Sequence, residues 1–385
     1  MHAVILAAGE GMRLRPLTRT RPKPMVPIGN RPLLEYVLEA VADAGIEDVV
    51  LVVGYKRERI QSHFGDGNDW EVDITYAVQD KQLGTGHAVA QAEPYVDGEF
   101  IVLNGDRIID SSLVSRIADD ATPAPAVAIR RSETPSAYGV VDLDGDRVVS
   151  VDEKPRGRTP ASDLINAGVY KFTPSVFDAI GRIDTVGESP ITAALDHLAA
   201  EGSVRAVRYD GRWLDVSVPW DLLSVNASVL DETGGHVDDA AVIHDSATVA
   251  GPVDIDEDTH VHPNATLLAG TSLGANAEVG ANAVVSNTVV LPDATVEAGA
   301  VLHDCIVGSN TVVGANGTVS GGLATVAIAG ELYESARIGA VVGDNVDIGG
   351  GVTLAPGTII GNDARVHEGT TVDGQVEDGA TIRRG

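Results

Sequence analysis

The chain of 385 residues is poor in several things, and each shortage excludes something. It has one cysteine, Cys305, so an intrachain disulfide is impossible and a reducing compartment fits. It has five lysines, the last at Lys171, and 56 Asp and Glu stand against 27 Lys and Arg, for a net charge of −29. Nucleic acid and anionic membranes both need a cationic face, so no nucleic-acid or membrane partner is expected. Acid-rich, lysine-poor surfaces suit concentrated salt, where repulsion is screened, and a halophilic origin is expected. Aromatics are 4% of the chain, and Tyr333 is the only one after His236. No stretch approaches the ~20 apolar residues of a membrane span. The N-terminal apolar run is short and lacks the cationic start of a signal peptide. A soluble, cytoplasmic protein is expected.

What the chain does contain begins at its N-terminus. The apolar run from His2 to Ala8 reads as a buried strand. Leu6-Ala-Ala-Gly9-Glu-Gly11-Met-Arg13-Leu-Arg15-Pro follows, then Arg19, Arg21 and the Pro22-Lys23-Pro24 triplet. Glycines let backbone amides approach a ligand closely. An amide-rich turn with clustered cations is a phosphate cradle, and the two prolines stiffen the loop around Lys23. Gly9-x-Gly11 lacks the third glycine of a dinucleotide fingerprint, and there is no Gly-Lys-Ser/Thr of a P-loop.

Two patterns divide the chain. Up to about residue 230, strand-like runs (Ala3–Leu6, Val49–Val53, Ile74–Val78, Phe100–Leu103) alternate with helical spacing (Leu33–Ala44, Arg57–Phe64, Gly86–Glu93). That alternation predicts an α/β domain with a parallel sheet, whose ligands sit at the carboxyl ends of strands. Gly9, Gly54, Gly84 and Asp106 all follow strands and should share one edge. From about His236, aliphatic residues recur every sixth position: Ile255, Val261, Leu267, Leu273, Val279, Val285, then Val290, Val296 and Leu302, then Val307, Val313 and Val319, and finally Val342 to Val372. A period of six is the hexapeptide signature of a parallel β-helix. The expected domains are residues 1–230 and 237–385. The stretch Gly321–Ser335 breaks the period and should protrude. With its own sheet core, a chain ending near Asp231 is expected to stay soluble and keep some activity.

The signature Leu-Ala-Ala-Gly-x-Gly-x-Arg-Leu-x-Pro with Pro-Lys-Pro resembles that of the sugar-1-phosphate nucleotidyltransferases. The resemblance extends over the whole chain to archaeal members with a β-helix tail. It implies a Rossmann-like nucleotidyltransferase domain followed by a left-handed β-helix of the kind that associates as homotrimers, with the hexapeptide excursion reaching toward a neighbouring subunit. It implies Mg²⁺-dependent transfer of a nucleotidyl group from UTP or dTTP to a sugar 1-phosphate, with release of pyrophosphate.

Residue by residue, the resemblance assigns Arg13 and Lys23 to charge neutralisation. Asp106 of Leu-Asn-Gly-Asp and Asp215 of Trp-Leu-Asp-Val-Ser217 are the expected metal ligands, since Mg²⁺ binds through one or two carboxylates plus phosphates. Ser217 stands where the family usually has glycine. Leu6, Ala8, Gly9 and Gly11 would meet the nucleotide, with Gln79, Gln82, Gly84 and Thr85 reading the base, because Gln matches the imide edge of uracil or thymine. The run Gln82-Leu-Gly84-Thr85-Gly-His-Ala resembles the N-acetylglucosamine-1-phosphate uridylyltransferase form of this loop. Tyr138, Gly139, Glu153, Lys154 and Asn166 match the sugar-phosphate segments.

Some β-helix relatives also acetylate amino-sugar phosphates with acetyl-CoA, using a histidine base. His303 occupies that place, but Ile306 stands where Tyr is expected and Ser320-Gly321-Gly322 where Asn is expected, and no lysine follows Lys171. Arg337 is nearest to the basic position. His260 and His262 are too few for a metal. A structural β-helix, a second acetyltransferase activity and a non-catalytic regulatory subunit are the three readings, and the intact Arg13, Lys23, Asp106 and Asp215 speak against the last.

Overall fold

In the computed structural model, which describes residues 1–155, 159–183 and 187–384, the run His2–Ala7 lies third in a nine-stranded sheet. From one edge the strands are Asp73–Val78, Asp48–Val53, His2–Ala7, Phe100–Asn104, Leu164–Phe172, Ala126–Arg131, Arg205–Arg208, Arg147–Glu153 and Gly139–Asp144. The first four are mutually parallel, in the register Val4 to Val50 and Val4 to Val102. Val4, Val50 and Val102 join one apolar core, and Ala3, Ile5, Leu51 and Ile101 join the core on the opposite face. Burial on both faces explains why these strands read as continuous apolar runs.

The four strands read from the sequence are those parallel strands, and the second half of the sheet adds antiparallel pairs. Leu164–Phe172 runs antiparallel to Phe100–Asn104, and Gly139–Asp144 pairs antiparallel with Arg147–Glu153. The reason is local. Only two residues separate that pair, and Gly145 turns with φ +69°, so no crossover helix intervenes and the strands must form a hairpin.

By contacts, this sheet and its helices form one unit: residues 1–10, 22–25 and 33–214. The second unit is residues 11–21, 26–32 and 215–385. The segments 11–21 and 26–32, which the sequence groups with the first domain, therefore cluster with the β-helix.

The second unit is built on three parallel sheets of eight, eight and seven short strands, which form a left-handed parallel β-helix. Ile255, Val261, Leu267 and the rest of the six-residue trains form a single buried core. The corners explain the abundance of Asn and Asp. Asn264, Asn276, Asn282, Asn310 and Asn316 all have φ between +54° and +60°, a left-handed turn that short polar side chains tolerate best after glycine.

The faces differ. The first, from His236–Val237 to Gln375–Val376, carries outward residues that are nonetheless buried, among them Ser272, Val289, Ile306 and Val341. The helix Pro219–Thr233 and the segments 11–21 and 26–32 bond to this side. Asn226, fully buried, accepts from the Gly29 amide at 2.8 Å and the Ser272 hydroxyl at 2.9 Å, and donates to the Gly270 carbonyl at 3.0 Å. The Asn30 amide donates to Asp254 at 2.6 Å. The second face carries charge, with Glu278, Asp347 and Arg365 in one row. The third carries the row Thr248, Thr266, Val284, Val301, Thr318, Thr353 and Thr371, with no charge in it.

The excursion after residue 320 is an antiparallel hairpin, Leu323–Ile328 with Glu331–Arg337. Its turn is Ala329-Gly330, both with positive φ. Within the chain it folds back toward the Pro219 helix: Tyr333 meets Trp220 edge-on at 5.2 Å, and Val326, Ile328 and Ile338 line a small apolar pocket with Pro219 and Trp220.

Candidate active site

The first unit gathers its polar residues where parallel strands end. Phe100–Asn104 runs into Gly105 and Asp106. A Cβ on Gly105 would lie 2.8 Å from the Leu6 carbonyl, so only glycine lets the turn pass this close to the signature strand. Lys23 Nζ lies 2.5 Å from Asp106 Oδ2, and Arg107 Nε faces Oδ1 at 3.8 Å. Burial by itself pushes the Asp106 carboxyl up. The charges of Lys23 and Arg107 and the Lys23 hydrogen bond outweigh it, and hold the pKa at about 2. The group is a carboxylate throughout the physiological range. Asp106 Oδ1 and Asn104 Oδ1 are buried and accept no hydrogen bond among the described residues. A buried anionic oxygen without a donor is a place for an electrophile from outside the chain.

Asp215 is the first residue of the second unit's main segment. Ser217 donates its hydroxyl to Asp215 Oδ2 at 2.9 Å, so the residue that replaces the family's glycine holds the carboxylate directly. Asp221 then accepts from the amides of Ser217 and Val218, both at 2.9 Å, and starts the Pro219 helix as a cap. Arg13 and Gly11 also belong to the second unit. Gly11 has φ +65° and opens a short helical turn, Met12–Leu14, and Arg13 shares a hydrogen bond with Tyr333 of the hairpin.

In the first unit, the expected nucleotide-side residues adjoin one another. Gln82 Nε2 donates to the Ala8 carbonyl at 3.0 Å, and the Tyr55 amide donates to the same oxygen. Gln79, buried, donates to the Gly84 carbonyl at 3.0 Å and meets His87 Nδ1 at 2.9 Å. Gly84 has φ +94° and sits against the Ser189 backbone, so no other residue fits. Thr85 has a structural engagement: its hydroxyl accepts from the Ile191 amide at 2.9 Å. A Cβ on Gly9 would meet nothing within 4 Å, so the space beside it is open.

The sugar-side residues also gather. Glu153 pairs with Gly139 across the hairpin, and Ile165, next to Asn166, pairs with Val140. A Cβ on Gly139 would lie 3.1 Å from Glu153 Oε2 and 3.6 Å from Asn166 Cβ. Asn166 donates to Tyr170 Oη at 2.7 Å and accepts from the Gly168 amide at 2.9 Å. Lys154 takes φ +46° and stands 3.9 Å from Glu153. Leu6 lies in the strand between, paired with Val52 and Asn104.

Sequence reasoning missed Arg107 and the place of Trp213. Arg107 lies over the Trp213 ring at 4.6 Å and the Tyr138 ring at 5.6 Å, and Arg130 covers the same indole at 4.9 Å. Trp213 Nε1 donates to the Ala167 carbonyl at 2.8 Å. This cation–π stack fixes Arg107 beside Asp106. The visible signal was a cation adjoining the strand-end aspartate. Two of the cations read into the phosphate cradle serve elsewhere, since Arg19 pairs with Asp378 and Arg21 with Asp344.

His303 lies on the outer side of the third β-helix face, in register with Ser286. Arg337 stands 3.5 Å from Asp304. His262 pairs with Glu278 at 2.7 Å, and among the described residues no group of three or more His, Cys, Asp or Glu is arranged to hold a metal. Nor is any described helix long and apolar enough to cross a membrane.

A strand-end carboxylate between two cations, beside an open glycine turn, defines a phosphate-handling α/β enzyme. Residues 2–232 match the nucleotidyl transferase family and residues 249–334 the GMPPB C-terminal domain. The chain is 34% identical to the bifunctional protein GlmU of one strain of Methanococcus maripaludis, over 98% of this chain and 96% of the relative. The match to GlmU of a second strain is 37% identical over 69% of this chain and 62% of the relative. The glucose-1-phosphate thymidylyltransferase of Streptomyces antibioticus is 38% identical over 71% of this chain and 78% of its own length. The chain belongs to the nucleotidyl transferase family, as an enzyme of its sugar-1-phosphate branch.

Proposed function

We propose that the protein transfers a nucleotidyl group from UTP or dTTP to a sugar 1-phosphate and releases pyrophosphate. The observation that carries this reading is Asp106: an ionised, half-buried carboxylate with one oxygen held by Lys23 and the other, itself buried, without a hydrogen-bond partner among the described residues. That oxygen and Asn104 Oδ1 suit a hard cation, and Asp106 would hold Mg²⁺ there. When bound, the metal withdraws charge from the phosphate under attack. No covalent nucleophile is needed, because the sugar phosphate oxygen attacks the α-phosphorus directly. The chain's part is to position both substrates and neutralise charge. Arg13 and Lys23 bind the triphosphate. The open space beside Gly9 leaves room for it. Gln79 and Gln82 face the base across the Gly84 turn. Glu153 and Asn166 take sugar hydroxyls, Lys154 takes the sugar phosphate, and Tyr138 packs beside them.

Self-association into trimers fits the third β-helix face. Copies each carrying −29 repel, so they meet best over a row of Thr and Val without charge. The acidic surface suits a salty cytoplasm, and full stability in dilute buffer would refute that part. Acetyl transfer at His303 is a separate activity, and Ile306 and Ser320-Gly321-Gly322 stand where its expected Tyr and Asn would assist.

The test is pyrophosphate release measured over UTP, dTTP, ATP and GTP against glucose 1-phosphate and N-acetylglucosamine 1-phosphate, with and without Mg²⁺. Asp106→Asn should abolish metal-dependent release with circular dichroism unchanged. A variant that keeps both activity and metal dependence makes Asp106 structural and removes the reading.

A further inference from the structure

The loop 11–21 carries Arg13, and its residues Pro16, Arg19, Thr20 and Arg21 bond to one corner of the β-helix. That corner lies between the first and second faces. On four consecutive coils it presents Ser309, Asp344, Asn362 and Asp378. Asp344 and Asn362 are both only 4% exposed. Each side chain bonds upward and sideways. Asp344 Oδ1 accepts from the Ser309 amide at 2.8 Å, Asn362 Oδ1 from the Asp344 amide at 2.7 Å, and Asp378 Oδ1 from the Asn362 amide at 2.9 Å. The remaining atoms grip the loop. Arg21 Nη2 donates to both oxygens of Asp344, and to Ser309 Oγ at 3.1 Å. The Thr20 hydroxyl donates to Asp344 Oδ2. Asn362 Nδ2 donates to the Pro16 carbonyl at 3.2 Å, and Arg19 meets Asp378 at 2.8 Å. Inside the loop, Thr18 donates to the Gly11 carbonyl at 2.9 Å, and Leu14 and Leu17 are buried.

We propose that Asp344 and Asn362 are positioning residues for nucleotidyl transfer: the β-helix corner sets the conformation of the signature loop, and through it the place of Arg13. The proposal rests on the reading of Arg13 as a triphosphate ligand. The loop, two short helical turns of which the first is opened by Gly11, has no hydrogen-bonded partner strand among the described residues, so its geometry must be imposed from outside. Two buried, fully bonded side chains impose it. The Arg19–Asp378 pair is half-exposed and contributes little. The β-helix is thereby part of the transferase machinery, quite apart from any chemistry of its own.

The test uses full-length Asp344→Ala, Asp344→Asn and Asn362→Ala, with Asp347→Ala, whose partner Arg365 lies on the exposed second face, as control. Two readouts are needed. Trypsin cleavage at Arg13–Leu14 and Arg19–Thr20, followed by mass spectrometry, reports loop anchoring without reference to catalysis. Pyrophosphate release reports kcat and KM. Cleavage of Asp344→Ala should quicken ~10-fold or more, and its KM for the NTP should rise by about 10- to 100-fold, the scale of a misplaced substrate-binding group. Asp344→Asn, which keeps one acceptor oxygen for the Ser309 amide, should recover part of both. Asn362→Ala removes a single loop contact and decides the case if Asp344→Ala does not fold. Unchanged cleavage and KM, or faster cleavage with unchanged KM, overturns the proposal. If the wild type transfers to no substrate, the functional reading fails while the cleavage arm still reports on the anchor.

Discussion

Arg21 and Asp344 are 323 residues apart in sequence, yet Arg21 Nη2 lies 2.8 and 2.7 Å from the two oxygens of that carboxylate. Both residues are buried. Removing one partner of a buried pair typically costs about 3–5 kcal/mol, because the other charge is left without compensation. The pair therefore ties the signature loop to the β-helix far more firmly than any surface bridge.

The first prediction reverses the expectation that a chain ending near Asp231 stays soluble and active. Such a truncation strips Arg21, Thr20 and Pro16 of their partners and leaves Asn226 without Gly270 and Ser272. It should express poorly or aggregate, and its soluble fraction should release pyrophosphate at under about a hundredth of the full-length rate. Sedimentation and a pyrophosphate assay decide this. A soluble truncated form with activity near that of the full chain would show the loop holds its shape unaided.

The second concerns Lys23. In the wild type, Asp106 titrates at about 2 in the folded state against ~3.9 unfolded. A depressed carboxyl adds stability that is full above the unfolded value and disappears as pH falls toward the folded one. In Lys23→Ala, both the charge and the hydrogen bond of Lys23 are lost, and burial is opposed only by Arg107 and a backbone hydrogen bond, so the Asp106 pKa rises. Acid unfolding, followed by circular dichroism, should then begin at a higher pH than in the wild type. Pyrophosphate release at neutral pH should fall ~10²-fold or more, since a charge is lost from the triphosphate. Activity within threefold of wild type would remove Lys23 from the phosphate cradle.

Much of this was legible in sequence because it is periodic or local. The strand Ala3–Leu6 and the helix Arg57–Phe64 follow from their apolar spacing, and the structure gives His2–Ala7 and Arg57–Phe64. The six-residue trains map onto the inward positions of the β-helix. What stayed hidden is long-range. Arg19, Arg21 and Arg13 have the same chemistry within nine residues of chain, and nothing local says that two of them meet Asp378 and Asp344 while the third meets Tyr333. Arg107 was hidden for the same reason: its significance comes from Trp213, 106 positions away in sequence, which stacks on it.

The third prediction is chemical inertness at Cys305. The thiol is 1% exposed and packs within the β-helix core. Burial first, and then the charge of Asp304, push its pKa up to about 12. A raised folded value favours the neutral thiol, so the group's contribution to stability is complete below the unfolded ~8.5 and is lost as pH climbs toward 12. Iodoacetamide at pH 8 should leave the native protein unmodified and alkylate it fully in guanidinium chloride, as mass spectrometry would record. Rapid native labelling would place the thiol at the surface.

The last prediction is that acetyl transfer is absent. A general base must find its amine within hydrogen-bond reach, and the tetrahedral oxyanion needs a donor. His303 can meet the first need from its place on the third face. For the second, the expected Tyr is Ile306, which is fully buried in the covered first face. The expected Asn lies where Ser320-Gly321-Gly322 runs, and a Cβ on Gly321 would lie 2.3 Å from Asp304 Oδ2, so the backbone there abuts a carboxylate. Arg337, the candidate cation, is paired with that same Asp304 at 3.5 Å. A carboxylate in the position of the donor disfavours an oxyanion, and salt screens little at contact distance. Glucosamine 1-phosphate and galactosamine 1-phosphate should therefore show no acetylation above background with acetyl-CoA, in dilute buffer or in molar KCl. Turnover in molar KCl that disappears in His303→Ala would show that the β-helix is a second active site, and that its donors come from outside this set.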